Sequence, residues 1–332
     1  MIIHDFLDND LYKFTAMNAI QKKFPDSEVV YRFVNRGNTS FPPGFADALK
    51  KEVEAMAGVV LSKENEKFMR AKCYYFDSVF FDLLKGFRFN PAEVKVSQEG
   101  GKLDVEIRGL WYRTVLWEVP LMAMISELYF RMTGQVARDL ERNATEKARA
   151  FADIKAEISE FGTRRRYSFD VQDRVIGILK ENMKGLLNGT SNVYFAMKYD
   201  LIPMGTHPHE WFMFHGAMYG YKQAHYMALE DWVEVYDGDL GIALSDTYTS
   251  AVFFKNLSRK QAKLFDGVRQ DSGDEFKFVT SAIARYKELG IDPTTKTIIF
   301  SNALTFEKAL EIREYCRGRI RCAFGIGTNL TN

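Results

Sequence analysis

The segment GTHPHEW, residues 205–211, places two of the five histidines of this chain beside a glutamate. A zinc site needs several converging ligands, and His207, His209 and Glu210 lie too close together and lack the i,i+4 helical spacing that would supply them. A histidine at a strand end can instead carry proton-transfer chemistry, with a neighbouring carboxylate to orient its ring. The pattern alone leaves two interpretations open: a core or turn histidine, which is the general case, and a catalytic His209 whose ring Glu210 could orient.

The segment GVRQDSGD, residues 267–274, could bind a phosphorylated sugar. Arg269 and Asp271 are two apart on a predicted strand, so their side chains point to the same face. A guanidinium can bind a phosphate through two hydrogen bonds, a carboxylate accepts hydrogen bonds from sugar hydroxyls, and Ser272 opens the next helix. Taken alone, the pattern is explained better by a surface ion pair at a turn.

Two further segments contain candidate binding residues. In AFGIGTNL, Gly325, Gly327 and Thr328 form a strand end where backbone N–H groups could approach a phosphate, although a tight turn explains them equally well. In EFGTRRRYS, Phe161 and Arg164 could place a ring and a guanidinium in one pocket. The three consecutive arginines cannot all face one ligand, so some are surface charges, and a solvated basic run is the alternative.

The elements that must position these residues follow a strand–helix rhythm from about residue 185 onward. Short apolar runs end in polar residues near positions 206, 246, 272, 302 and 328. The runs are YDLIPMGT, DLGIALSD, FDGVRQDSG, TTKTIIFSN and IRCAFGIGT. Such units predict a parallel sheet, open or closed into a barrel, with the chemistry at the carboxyl edge of its strands.

The first part of the chain has a mixed pattern. DLYKFTAMNAIQKKF predicts a helix and SEVVYRFVNRG a strand, while AEVKVSQEGGKLDVEIRG predicts a hairpin that turns at Gly100–Gly101. Residues 118–160 are rich in helix formers, and their charged run ARDLERNATEKARAFADIKAEI predicts a helix with one solvated face.

The composition of the 332 residues, 46% hydrophobic and 27% charged, is that of a globular protein with a core. A net charge of +1 gives no general attraction to nucleic acid or acidic membranes. The start of the chain, MIIHDFLDND, does not resemble a signal peptide, and no apolar stretch is long enough to span a bilayer. Three cysteines argue against a disulfide framework, so we expect a cytoplasmic location.

Six motifs occur in one order along the chain and together resemble the nicotinate phosphoribosyltransferase family. They are HDFLDNDLYKFTAM, EFGTRRR, GTHPHEWF, GVRQDSGD, IIFSNAL and FGIGTNL. The resemblance implies a type II phosphoribosyltransferase fold: a mixed α+β N-terminal domain, residues 1–115, and an incomplete α/β barrel, residues 116–332. It also implies synthesis of nicotinate mononucleotide and pyrophosphate from nicotinate and phosphoribosyl pyrophosphate, in NAD salvage. Coupled ATP hydrolysis through a phosphohistidine and homodimers with shared active sites are implied as well.

The resemblance also implies roles for individual residues. His209 would be phosphorylated, Tyr12 from the partner subunit and Phe161 would enclose the pyridine ring, and Asp246 would lie near the ribose and a metal ion. Mg²⁺ would enter with the substrate, without a dedicated protein site, and ATP would be a co-substrate. The remaining substrate-binding residues implied are Arg164, Ser191, Thr206, Arg269, Asp271, Ser272 and Asn302, with Gly325, Gly327 and Thr328 for the 5′-phosphate.

Ser191 bears on the choice between acid and amide substrates. It stands where the related nicotinamide enzyme carries an acidic residue, and a serine there would not repel the carboxylate of nicotinate. The alternatives are a nicotinamide or quinolinate phosphoribosyltransferase, or a non-catalytic protein that binds pyridine nucleotides. Since family members usually continue well beyond the phosphate loop, we also expect this chain to lack a C-terminal part.

Overall fold

The computed structural model describes residues 1–331, which contain two β-sheets and the helices that cover them. The strands are β1 (Glu28–Arg32), β2 (Val94–Glu99), β3 (Lys102–Leu110), β4 (Ile158–Glu160), β5 (Leu187–Thr190), β6 (Ile202–Pro203), β7 (Ile242–Leu244), β8 (Gly267–Gln270), β9 (Thr297–Phe300) and β10 (Arg321–Ile326).

The helices of the N-terminal part are α1 (Leu11–Lys23), α2 (Phe45–Ala55), α3 (Lys63–Lys72), α4 (Ser78–Gly86), α5 (Trp111–Thr114), α6 (Glu118–Thr133) and α7 (Leu140–Asp153). The helices that follow are α8 (Phe169–Asn182), α9 (Val193–Lys198), α10 (His209–Tyr219), α11 (Tyr221–Tyr236), α12 (Ser250–Asn256), α13 (Arg259–Leu264), α14 (Glu275–Glu288), α15 (Phe306–Cys316) and α16 (Thr328–Thr331). Helix α7 buries Ala144, Ala148 and Phe151 and exposes most of its charges, which confirms the predicted solvated face.

The smaller sheet is antiparallel, in the order β1–β3–β2, and contains the predicted hairpin. Val96 lies opposite Val105 and Val94 opposite Ile107, so the apolar residues of both arms share one face. Gly100 has a positive φ of 55°, which the turn needs and which glycine adopts without strain. The predicted first helix, first strand and hairpin are therefore confirmed.

The larger sheet is parallel, in the order β6–β5–β4–β10–β9–β8–β7, and curls into a half-barrel. The last strand, β10, lies between β4 and β9, so the strands run in sequence order around the curl and the barrel stays open between β6 and β7. The chain crosses this opening through α10 and α11. The predicted α/β fold with an incomplete barrel is confirmed, whereas the boundary at residue 115 stays a prediction.

All five apolar runs form strands, β6 to β10, but the sequence pattern missed β4 and β5. β4 has three residues and follows a helix-rich region, so it shows no periodicity of its own. β5 contains Asn188 and Gly189, which are unusual in strands. Gly189 is required there because a Cβ would lie 2.1 Å from the carbonyl oxygen of Ile202 on β6.

The N-terminal segment joins the larger sheet at its carboxyl edge. The carbonyl oxygens of Leu7 and Asn9 accept hydrogen bonds from Tyr194 and Val193, and the backbone N–H of Leu11 donates to Ser191. This pairing brings the start of α1 to the region where the catalytic motifs end. Within residues 1–331, no helix has both the length and the apolar character needed to cross a membrane.

Candidate active site

The predicted site residues converge at the carboxyl edge of the half-barrel. His209 follows β6, Asp246 follows β7, and Arg269 and Asp271 lie at the end of β8. The remaining strand ends contribute further residues at this edge: Phe161 and Arg164 after β4, Ser191 after β5, Thr206 after β6, Ser272 after β8, Asn302 after β9, and Gly325, Gly327 and Thr328 at the end of β10. A parallel sheet collects the ends of distant segments in this way because all its strands point in one direction.

Arg269 is held by three hydrogen bonds that fix the plane of its guanidinium. Nε donates to Ser301 Oγ at 2.8 Å, and the two terminal nitrogens donate to Thr206 Oγ1 at 2.8 Å and Asp271 Oδ1 at 2.9 Å. The side chain is 15% exposed, so part of it is accessible at the carboxyl edge of the half-barrel, which we call the rim. The predicted pair of Arg269 and Asp271 is therefore an internal ion pair of the site rather than a solvated surface pair.

His209 is the first residue of α10 and is partly exposed. Its Nε2 lies 3.1 Å from Asp271 Oδ2, and its Nδ1 lies 3.1 Å from Thr247 Oγ1. An ionised carboxylate only accepts hydrogen bonds, so Asp271 keeps the proton on Nε2. Nδ1 then holds the free electron pair, which the Thr247 hydroxyl faces.

Asp271 is ionised in this arrangement. Burial by itself raises its pKa, but the hydrogen bond from His209, the charge of Arg269 and the hydroxyl of Ser301 together hold the pKa well below its usual range. A carboxylate that stays charged can stabilise a cationic or phosphorylated imidazole beside it.

The predicted role of Glu210 as the group that orients the His209 ring is wrong. The Glu210 carboxylate accepts hydrogen bonds from Lys13 Nζ, the Tyr31 hydroxyl and, at 3.4 Å, Trp111 Nε1. Successive residues of a helix point about 100° apart around its axis, so Glu210 faces away from its neighbour. Asp271 and Thr247, from two other strand ends, hold the ring instead.

His207 has a structural role. Its ring is fully buried, and its Nδ1 accepts a hydrogen bond from the backbone N–H of Leu244 at 3.2 Å. Leu244 belongs to β7, so this bond joins the two sides of the barrel opening. Burial, with a contribution from the charge of Arg269, lowers the pKa of His207 to about 3, and the ring is neutral.

Phe161 and the glycine-rich end of β10 form one unit. A Cβ at Gly325 would lie 2.2 Å from the Phe161 ring, and one at Gly327 would lie 2.9 Å from the Phe161 carbonyl oxygen. The backbone N–H of Phe161 donates to the carbonyl of Ile326 at 2.8 Å. The glycines thus admit the aromatic ring, while phosphate binding by Gly325, Gly327 and Thr328 stays a prediction.

The three consecutive arginines separate as the sequence requires. Arg166 is fully buried and donates two hydrogen bonds, of 2.7 and 2.8 Å, to the Asp8 carboxylate. Arg164 faces the site, with its NH1 3.3 Å from Glu118 Oε1 and its Cζ 5.9 Å from the centroid of the Tyr12 ring. Arg164 therefore suits a substrate contact, whereas Arg166 holds the N-terminal segment.

Ser191 lies beside a carboxyl group that no sequence motif predicted. It is 4% exposed, and its hydroxyl donates to Asp10 Oδ1 at 2.7 Å. Burial raises the pKa of Asp10, while the charge of Arg164 and the Ser191 and Thr163 hydroxyls oppose that rise. The Ser191 hydroxyl therefore binds a buried carboxyl group that has the cation of Arg164 nearby.

Asp246, Ser272 and Asn302 follow three adjacent strands, β7, β8 and β9, at the rim. Ser272 Oγ donates to Asp246 Oδ2, and Asn302 Nδ2 lies 3.5 Å from the carbonyl oxygen of Gly273. The second carboxylate oxygen of Asp246 is buried without a hydrogen-bond partner in the described part of the chain. Among residues 1–331, no cluster of three or more histidine, cysteine or acidic side chains could hold a metal ion.

Two family models cover most of the chain. Residues 7–126 match the N-terminal domain of nicotinate phosphoribosyltransferase, and residues 156–332 match the nicotinate phosphoribosyltransferase family. The chain belongs to the nicotinate phosphoribosyltransferase family.

Similar proteins agree with this assignment. The nicotinate phosphoribosyltransferase of Chromohalobacter salexigens is 52% identical over 335 residues, which cover 100% of this chain and 86% of that protein. The crystal structure of nicotinate phosphoribosyltransferase from Porphyromonas gingivalis matches with a TM-score of 0.97 and 48% identity, covering 100% of this chain and 86% of that one. The Vibrio cholerae structure matches with a TM-score of 0.94 and 38% identity over 100% and 81% of the two chains.

Proposed function

We propose that this chain joins nicotinate to the ribose of phosphoribosyl pyrophosphate, forming nicotinate mononucleotide and pyrophosphate for NAD salvage. The family membership and the names of the relatives support this reaction. The rim supplies suitable chemistry, because Arg269 suits a phosphate, Asp271 suits ribose hydroxyls and Arg164 suits the carboxylate of nicotinate.

The reaction needs a site that tolerates positive charge on the ribose. The pyridine nitrogen forms a bond to ribose C1 while the bond from C1 to pyrophosphate breaks, and the electron pair leaves with the pyrophosphate. Asp246 and Asp271 would stabilise the oxocarbenium-like transition state. Mg²⁺ bound to the pyrophosphate would neutralise the leaving group, and the unpartnered oxygen of Asp246 is a suitable ligand for it.

ATP hydrolysis through a phosphorylated His209 is the second part of the proposal. The observation that carries it is the His209–Asp271 pair, because it leaves Nδ1 as the nucleophilic nitrogen. Nδ1 would form a bond to the γ-phosphorus of ATP while ADP leaves with the electron pair of the broken bond. The added charge would then act on the neighbouring groups of the rim.

The test is phosphate mapping followed by turnover. Purified protein is incubated with ATP and Mg²⁺, and acid-labile phosphate is located by mass spectrometry in the native protein and in His209→Ala, with exposed His4→Ala as control. Phosphate on His209 alone supports the ATP-coupled mechanism, and its absence contradicts it. Pyrophosphate release with nicotinate, nicotinamide and quinolinate then identifies the substrate, whereas tight binding without release would indicate a binding protein.

A homodimer with shared sites and a cytoplasmic location complete the proposal. The Tyr12 ring is half-buried at the start of α1, and in a homodimer it could reach a pyridine bound by a partner subunit. Sedimentation that shows only monomers would contradict this role of Tyr12.

A further inference from the structure

The Lys13 ammonium group lies between two carboxylates of the candidate site, one near Arg164 and one next to His209. Its side chain is 1% exposed and forms ion pairs with both Glu118 and Glu210. Glu118 is the first residue of α6 and Glu210 is the second residue of α10, so one ammonium group joins three helices at their N-terminal ends.

Each carboxylate continues the network with its other oxygen. Glu118 Oε1 lies 3.3 Å from the guanidinium of Arg164, the residue suited to the pyridine carboxylate. Glu210 Oε2 accepts from Tyr31 and Trp111, and Glu210 follows His209 directly in the first turn of α10. A continuous chain of charges therefore runs from Arg164 through Glu118 and Lys13 to the backbone that carries His209.

The four groups of this network are balanced in charge, because the cations of Arg164 and Lys13 alternate with the carboxylates of Glu118 and Glu210. Burial opposes ionisation of Glu118, yet the charges of Lys13 and Arg164 hold its pKa well below its usual range. Burial likewise opposes the charge of Lys13, and the two carboxylates raise its pKa above its usual range. Without Lys13, Glu118 and Glu210 would face each other with one cation fewer, so both would move or one would take up a proton.

We propose that Lys13 is a positioning residue that couples the phosphorylation state of His209 to Arg164 and the pyridine pocket. This inference rests on the ATP-coupled function proposed above. A phosphoryl group on His209 adds negative charge beside the first turn of α10, and a shift of that turn moves Glu210. Lys13 moves with Glu210 because the two form an ion pair. The Glu118 carboxylate then binds Lys13 less closely and Arg164 more closely, or the reverse.

The test compares Lys13→Gln with Lys23→Gln, at a lysine that ends the same helix and pairs with Asp231 and Glu234 instead of Glu118 and Glu210. The measurements are phosphate uptake on His209, ATP hydrolysed per nicotinate mononucleotide formed, and KM for nicotinate with and without ATP. We expect Lys13→Gln to retain phosphate uptake, to consume about fivefold more ATP per product, and to lose the effect of ATP on KM. Lys23→Gln should match the native protein in all three measurements.

Two further variants keep the inference testable if Lys13→Gln does not fold. Lys13→Arg retains the charge and should recover part of the effect of ATP on KM for nicotinate. Glu118→Gln, at a partly exposed side chain, should remove that effect although Lys13 is still present. Normal coupling in Lys13→Gln, or in Glu118→Gln, would overturn the positioning role. A native protein that takes up no phosphate would instead contradict the ATP-coupled function, so the two failures are distinguishable.

Discussion

His209 Nε2 lies 3.1 Å from Asp271 Oδ2, although 62 residues separate them in sequence. The carboxylate stays ionised because Arg269 and Ser301 also contact it, and it therefore fixes the tautomer of the ring. His209 is proposed to carry the phosphoryl group and Asp271 to bind the ribose. Because the two side chains are in contact, phosphorylation of His209 can act directly on Asp271.

Replacing Asp271 with asparagine should nearly abolish phosphate uptake on His209. An amide carries no charge to stabilise a cationic ring, and its NH₂ group can instead donate to Nε2 and favour the other tautomer. Loss of such assistance costs about 10²- to 10⁴-fold in rate. The measurement is the initial rate of acid-labile phosphate incorporation from ATP. The exposed Asp170, in the first turn of α8, provides the control variant Asp170→Asn, which should react at the native rate. Equal rates in the two variants would contradict the role of Asp271.

Ser191→Asp should lower kcat/KM for nicotinate by about tenfold or more, which corresponds to about 1.4 kcal/mol. The new carboxylate would lie beside Asp10 and add a negative charge that repels the acid substrate. Ser191→Ala is the matched control, because it removes the hydrogen bond to Asp10 without adding charge. If nicotinate turnover were the same in Ser191→Asp and the native protein, this account of acid selectivity would fail.

His207 should make the protein less stable in acid. Its pKa is about 3 in the folded state and near the ordinary 6.5 when unfolded, so the unfolded chain takes up a proton that the folded chain refuses. The stabilisation is complete above pH 6.5 and is lost progressively as pH falls toward 3. It amounts to a few kcal/mol at most.

The measurement is the free energy of unfolding by urea at several pH values for His207→Asn, whose side-chain oxygen can accept the Leu244 hydrogen bond. We expect this variant to be less stable at pH 7 and to lose less stability between pH 6.5 and 4 than the native protein. His4→Asn, at an exposed position, should retain the native slope. A native slope in His207→Asn would show that other groups govern acid unfolding.

Gly325→Ala should disturb the pyridine pocket. The added methyl group would lie 2.2 Å from the Phe161 ring, so the ring must move away from its position. We expect KM for nicotinate to rise about tenfold or more, the effect of about 1.4 kcal/mol of lost binding. Gly86→Ala is the control, since a Cβ there meets no atom within 4 Å, and its KM should not change. An unchanged KM in Gly325→Ala would show that Phe161 does not contact the substrate.

Local sequence determined much of this protein. The five apolar runs each ended in polar residues and formed β6 to β10, because hydrophobic runs and turn residues act within a few positions of each other. Apart from Glu210, the motif residues that follow the strands lie at the rim as predicted, since a parallel sheet gathers its carboxyl ends along one edge. The short strands β4 and β5 were missed because pairing with their neighbours, rather than residue preference, makes them strands.

Only the tertiary structure decided the partners of these residues. Glu210 is adjacent to His209 in sequence but points elsewhere, because successive residues on a helix diverge by about 100°. Asp271 and Thr247 reach the ring from separate strand ends, and Lys13 reaches Glu210 across 197 residues. Sequence patterns report preferences that act over a few residues, whereas these contacts depend on the order and curl of the sheet, which long-range packing sets.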